Sequence, residues 1–224
     1  MKKVLIVLTN TAKYETENVP TGLWLGELTH FYDEIQKHGI EADFVSPKGG
    51  YVPIDPYSMK FATDVDYKWY QEDAFVNKAL AQTKSPQDID PKEYCGIYYT
   101  GGHGVLWDFP QDETLQHIAM AIYKEGGYVT AVCHGVVGLL NLTEDGHYLI
   151  KNKQVTGFTD VEELLAGKKN KVPFSTEEAL KQRGAHYVKK RFFTSFATRD
   201  GRVITGQNPQ SARAVAKELV KAIN

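Results

Sequence analysis

Tyr128-Val-Thr-Ala-Val-Cys-His-Gly-Val-Val-Gly138 runs from an apolar segment into residues of helical character, with a cysteine at the junction. Tyr128 to Val132, preceded by Gly126-Gly127, reads as a strand buried on both faces, the kind that parallel sheets use. A strand that turns straight into a helix at Cys133 has the mechanics of a nucleophile elbow, with a thiol where hydrolases carry a hydroxyl. A helix expected from Cys133-His134-Gly135 to about Leu142 aims its free N–H groups and its positive dipole end at the sulfur, which favours thiolate. Gly135 and Gly138 permit close backbone approach. The competing reading, a packed structural cysteine, suits Cys95, which sits inside Tyr94-Cys-Gly-Ile-Tyr-Tyr99 with no such setting.

Working outward, strands alternate with helices. Val4 to Leu8 and Ala42 to Ser46 are apolar strands flanking a helix over Thr21 to His38, whose Trp24, Leu28, Phe31 and Ile35 keep helical spacing and which Gly39 stops. Pro47 to Tyr70, with Gly49-Gly50, Pro53, Pro56 and several aromatics, has no sustained period and reads as an excursion over the core that builds a lid or an interface. A helix at Asp73 to Gln82, a strand at Tyr94 to Thr100 and a helix at Gln111 to Glu125 precede the elbow. Beyond it, Tyr148 to Ile150 and Gln154 to Thr156 resemble a hairpin, Asp160 to Leu165 a short helix, and Ser175 to Arg183 a helix with a Ser175/Glu178 capping box. Tyr187 to Thr198 and Val203 to Thr205 flank the turn Arg199-Asp200-Gly201, and Ser211 to Ile223 is a closing helix. The alternation predicts an α/β sandwich with a mostly parallel sheet, as a single domain over 1–224.

Composition narrows the function. Lys and Arg number 26 against 28 Asp and Glu in 224 residues, a net charge of -2, so no basic excess exists to hold nucleic acid. No apolar run has the length to cross a bilayer, and the apolar start is too short for a signal-peptide core, so a soluble cytoplasmic protein is expected. Two cysteines are too few for a disulfide framework or a four-cysteine metal site. The seven histidines are scattered without a tight ligand pair, and no metal is expected.

In open α/β sheets the ligand crevice lies beyond the carboxyl ends of the strands. Besides Cys133, the other such end is Gly101-Gly102-His103-Gly104, where glycines let main-chain N–H groups turn towards a bound oxygen. Gly102 and His134 N–H are the candidate oxyanion donors, with Gly101 and His103 beside the substrate; His103 is read chiefly as shaping the loop. Glu27 lies four residues after Leu23 and four before Phe31, which puts a carboxyl on an apolar stripe. A carboxyl buried there has its pKa raised and can shuttle a proton near neutral pH.

With these residues in view, the sequence resembles the ThiJ/PfpI superfamily, also described as class I glutamine amidotransferase-like, in its glutathione-independent glyoxalase III branch. The resemblance rests on Ala131-Val-Cys-His-Gly135, Gly101-Gly-His-Gly104 with Trp107-Asp-Phe-Pro110, Glu27, Thr156-Gly-Phe-Thr-Asp-Val-Glu-Glu163 and Gly206-Gln-Asn-Pro-Gln-Ser211, and covers essentially the whole chain. It implies a flavodoxin-like three-layer α/β/α sandwich, a homodimer, and a catalytic set of Cys133 as nucleophile, His134 as its partner, Glu163 as the acid orienting the imidazole and Glu27 facing the sulfur. Spacing alone leaves Glu162 and Asp160 open beside Glu163. The activity implied is a cofactor-independent lyase of the D-lactate dehydratase type, converting methylglyoxal and related 2-oxoaldehydes to 2-hydroxy acids.

Other readings compete. Glutamine amidotransfer normally needs a downstream His-x-Glu pair, but His147 is followed by Tyr148-Leu149 and His186 by Tyr187-Val188. Proteolysis is formally open to a Cys-His-Glu set. A protein deglycase would use the same opening step. A stress-response chaperone or redox sensor would need exposed apolar surface or an oxidisable thiol instead of turnover.

Overall fold

Four residues explain why helices cover both faces of the sheet. Along strand β1 (Lys3–Val7), Leu5 and Val7 join one hydrophobic cluster while Val4 and Ile6 join another, so neither face can meet water. The computed structural model describes residues 2–15 and 17–224. After β1 come helix α1 (Leu25–Gln36), β2 (Glu41–Val45), α2 (Asp64–Tyr70), β3 (Gly96–Tyr99), α3 (Glu113–Lys124) and β4 (Tyr128–Val132). The main elements that follow are α4 (Asp160–Leu165), α5 (Thr176–Gln182), β5 (Ala197–Asp200), β6 (Val203–Gly206) and α6 (Ala212–Ile223). The sheet order is β2-β1-β3-β4-β6-β5, parallel throughout except for β5, which pairs antiparallel to β6. Leu28, Phe31 and Ile35 of α1 pack with Val215 and Leu219 of α6 on one face, and Leu115, Ile118 and Ile122 of α3 pack on the other. The result is the three-layer α/β/α sandwich that the alternation predicts.

Several boundaries differ from the sequence expectation, each for a local reason. Helix α1 starts at Leu25 instead of Thr21, because the preceding backbone is tied sideways: Leu23 N–H donates to Pro53 O at 2.8 Å and Trp24 N–H to Gly101 O at 3.1 Å. The excursion is less irregular than read. It holds a 3₁₀ turn, Ser58–Phe61, and α2, whose capping box joins Thr63 to Asp66. The expected hairpin at 148–156 is displaced: Thr143–Glu144 pairs with His147–Tyr148 across Asp145 and Gly146, both at positive φ, while Gln154–Val155 pairs in parallel with His186–Tyr187. Of the expected strand Tyr187 to Thr198, most is irregular beyond Tyr187, and its pairing in the main sheet begins only at Ala197. On α5, Ser175 caps Glu178 N–H, but the Glu178 side chain turns to Lys181, so the box is half made.

The segment after β4 is a 3₁₀ helix, Cys133–Leu139, not the α-helix expected to about Leu142. It is jammed against the end of β3. A Cβ on Gly135 would fall 2.4 Å from the carbonyl oxygens of Tyr99 and Thr100, and one on Gly138 would fall 2.5 Å from the Tyr99 ring. The expected effect of Gly135→Ala is therefore a loss of about 1–3 kcal/mol or more, as for overpacking in a filled core. Gly39→Ala, at φ 65 but facing open space, should lose no more than about 1–2 kcal/mol from backbone strain alone. Urea denaturation of the two variants against wild type checks this ranking.

Candidate active site

The carboxyl ends of β1, β3 and β4 meet where the strand order reverses, the position at which open α/β sheets hold their ligands. Cys133 is the first residue beyond β4 and adopts φ 56, a left-handed conformation that costs a non-glycine residue about 1–3 kcal/mol. The strain belongs to the elbow: it turns the side chain off the strand line, and the residue stays only 2% exposed.

The carboxyl group of Glu163 on α4 stands between two imidazoles, with His134 Nε2 at 2.7 Å from one oxygen and His103 Nε2 at 2.8 Å from the other. Burial works to raise the Glu163 pKa, but the His134 and His103 rings overcome it and hold the group below the usual carboxylate range. An ionised carboxylate only accepts, so both Nε2 atoms carry their hydrogens. In neutral His134 the other nitrogen, Nδ1, is then a bare acceptor, and it faces Cys133 Sγ at 3.5 Å. Burial, aided by the neighbouring His134, lowers the His103 pKa and keeps that ring neutral.

Glu27 approaches from α1. Its Oε2 accepts the Gly101 N–H at 2.7 Å, its Oε1 is buried with no hydrogen-bond partner among the described residues, and the carboxyl interacts with the Cys133 sulfur. Burial pushes its pKa up to about 8, against the opposing pull of Cys133 and the Gly101 N–H. Two expectations change here. Burial first, and Glu27 second, push the Cys133 thiol well above its usual pKa, with His134 N–H pulling the other way, a direction opposite to the expected lowering towards thiolate. Gly101 does not offer its N–H to a substrate, because Glu27 takes it. Gly102 does line the cavity, at φ 102, where a Cβ would strike Gly22 O at 2.2 Å.

Of the three acids that spacing left open, Glu163 is the one that meets His134. Glu162 points the other way: its Oε1 accepts from Phe193 N–H at 2.8 Å and Asn208 Nδ2 at 2.8 Å, and its Oε2 from Thr159 N–H at 3.0 Å. Asp160 accepts from Ser175 Oγ at 2.5 Å. Sequence reasoning missed the partnership of His103 with Glu163, for which no spacing carries a signal, and the role of Glu162 in pinning Phe193 and the Gln207-Asn208 segment. Two of the histidines that look scattered in sequence are neighbours here, and the ligand atoms of His103, His134 and Glu163 lie within 4.8 Å of one another. A cation could be held there only by displacing the hydrogen bonds that orient the rings. Above them opens a cavity of about 540 Å³, reached by Cys133, Gly102, His103 and His134.

A six-stranded α/β sandwich with a cysteine elbow, an imidazole at the sulfur and an acid behind it defines a class of cysteine-nucleophile proteins. The chain belongs to the DJ-1/PfpI family, whose profile matches residues 2–222. It is 35% identical to the glutathione-independent glyoxalase HSP31 of Saccharomyces cerevisiae over 99% of this chain and 98% of that protein. It is 33% identical to glyoxalase 3 of Candida albicans over 99% and 98%. Among solved structures, Rapid Encystment Protein 24 kDa of Francisella tularensis superposes with a TM-score of 0.96 at 39% identity, covering 100% of both chains. Glyoxalase III of Candida albicans superposes with a TM-score of 0.86 at 33% identity, covering 99% of this chain and 97% of that one.

Because Glu27 is raised from 4.5 to about 8, folding takes up a proton between those values. The stabilisation from holding that proton is complete below pH 4.5 and is lost as pH rises through 8, at about 1.4 kcal/mol per pH unit. Glu27→Gln should remove this slope. Urea-denaturation free energies of wild type minus Glu27→Gln, taken between pH 5 and 8, isolate it, since His103 and Glu163 contribute equally to both proteins.

Proposed function

We propose that the protein is a glutathione-independent glyoxalase, the activity named for its relative HSP31, and that it converts methylglyoxal and related 2-oxoaldehydes to 2-hydroxy acids. The observation that carries this reading is the pairing of a thiol with two carboxyl groups pushed in opposite directions, Glu27 up and Glu163 down. Opposed shifts of this kind divide acid from base.

The aldehyde carbon is attacked by Cys133 Sγ while His134 Nδ1 takes the thiol proton, Glu163 stabilising the imidazolium that forms. The hemithioacetal oxygen lies against Gly102 and His134 N–H. Loss of the proton on the former aldehyde carbon and protonation of the ketone oxygen give an enediol. Return of a proton to the adjacent carbon, with loss of the hydroxyl proton on the sulfur-bearing carbon, gives the thioester of the 2-hydroxy acid. Glu27, neutral near pH 7 and with Oε1 without a hydrogen-bond partner among the described residues other than the Cys133 sulfur beside the carboxyl, is placed to donate in these transfers. Water then cleaves the carbon–sulfur bond, releasing the acid and restoring the thiol. The aldehyde is oxidised by two electrons and the ketone reduced by two, so the residues need no redox cofactor and no metal for the balance to close.

The reading extends to a cytoplasmic single-domain homodimer acting on a small molecule, with no nucleic acid or membrane partner. Two free thiols suit a reducing compartment, the charge balance is near zero, and among the described residues no helix is long and apolar enough to cross a membrane. The dimer rests on the family resemblance, and sedimentation equilibrium tests it.

Incubation with methylglyoxal and no glutathione, followed by chiral separation of lactate, should give a single enantiomer. Cys133→Ala should give none. Glu27→Gln should lower kcat by about 10²–10⁴-fold, the range of a lost acid–base group. Lactate formed by Cys133→Ala at the wild-type rate would refute the assignment.

A further inference from the structure

A three-carbon oxoaldehyde is small for the space above Cys133. The cavity of about 540 Å³ is of the size that buries a drug-sized ligand, and its reactive groups occupy only the floor. Exposure rises steadily away from the sulfur, from Cys133 at 2% through Phe158 at 6% to Phe193 at 40% and Phe61 at 57%. The walls between floor and mouth are aromatic. On one side Trp24 lies 5.7 Å from Phe61 and 6.3 Å from Tyr57, measured between ring centroids; on the other Phe158 lies 6.4 Å from Phe193 and 4.5 Å from His134.

These walls are tied to the catalytic backbone. Trp24 N–H donates to Gly101 O, and Phe158 N–H donates to Cys133 O at 3.2 Å. Phe193 is held at φ 52, a conformation unfavourable for a bulky residue, with its N–H donated to the buried Glu162 carboxyl at 2.8 Å. A ring kept in a strained position on the cavity wall is preorganised for a ligand face. The acidic groups in the cavity already have hydrogen-bond partners. Asp55 accepts from Thr21 Oγ1 and Tyr57 N–H, Asp66 accepts from Thr63 N–H, and Lys168 Nζ sits 5.0 Å from the Tyr14 ring centroid.

We infer that the preferred substrates are 2-oxoaldehydes bearing an aromatic group on the ketone carbon, with the ring seated between the Trp24/Phe61 and Phe158/Phe193 walls. This rests on the glyoxalase reading and names the substrate class of that site. The bond changes are those already given: the thiol adds to the aldehyde carbon, the aldehyde is oxidised as the ketone is reduced, and water releases an aryl 2-hydroxy acid. Trp24 and Phe61 are specificity residues, because they contact the substituent and not the reacting carbons.

The test compares kcat/KM for phenylglyoxal and methylglyoxal on the full chain without glutathione, each followed by its hydroxy acid product. Phenylglyoxal should exceed methylglyoxal by about 10- to 100-fold, mainly through KM, as burial of a ring in an apolar site provides. Phe61→Ala, a substitution at an exposed position, should lower the phenylglyoxal-to-methylglyoxal ratio about tenfold. Methylglyoxal turnover with a ratio at or below one overturns the inference and leaves the glyoxalase reading standing. Hydroxy acid from neither substrate overturns both.

Discussion

The carboxyl group of Glu27, enclosed between α1 and the ends of β3 and β4, is the constraint to which the rest of the site conforms. It is 0% exposed, and its helix is locked to the sheet by Phe31 stacked on Tyr98 at 3.6 Å between centroids and by Tyr98 OH donating to Glu27 O at 2.9 Å. The carboxyl in turn fixes Gly101, and with it the direction in which the Gly101-Gly102 backbone leaves β3. Removing an acid from water without a countercharge favours its neutral form, and neutral Glu27 no longer repels the sulfur beside it. The repulsion that contributes to the high thiol pKa exists only while Glu27 is ionised, so proton and sulfur are coupled through one residue.

Glu163 is the counterpart. It is also buried, yet it faces two imidazoles and stays ionised, fixing the tautomer of each ring. The proposed reaction needs this asymmetry: a nitrogen able to accept the thiol proton and, across the sulfur, a carboxyl able to give one. Neither role follows from residue type, since both groups are glutamates on helices near the same cysteine. The enclosures differ, and the enclosures set the roles.

The three layers and the elbow were legible in the sequence because their signals are local. Val4 to Leu8 and Tyr128 to Val132 are continuous apolar runs, Gly135 and Gly138 mark a close approach, and Glu27 interrupts an apolar stripe. What could not be read depends on neighbours distant in the chain. Whether Cys133 carries its proton depends on burial and on Glu27 more than on the following turn, which packing against Tyr99 and Thr100 winds as a 3₁₀ helix. The choice of Glu163 over Glu162 is a matter of which side of α4 meets His134, and the two adjacent glutamates point in opposite directions. The His103 contact with Glu163 joins loops that no spacing rule connects.

The claim at the centre of this account, that Glu27 holds a proton beside Cys133 at neutral pH, has a direct spectroscopic reading. Infrared difference spectra between wild type and Glu27→Gln, recorded from pH 5 to 10, report the carbonyl stretch of one protonated carboxylic acid. The account predicts that this band is present at pH 6 to 7 and gives way to carboxylate bands with a midpoint near 8. A Glu27 carboxylate already formed at pH 6 would contradict it.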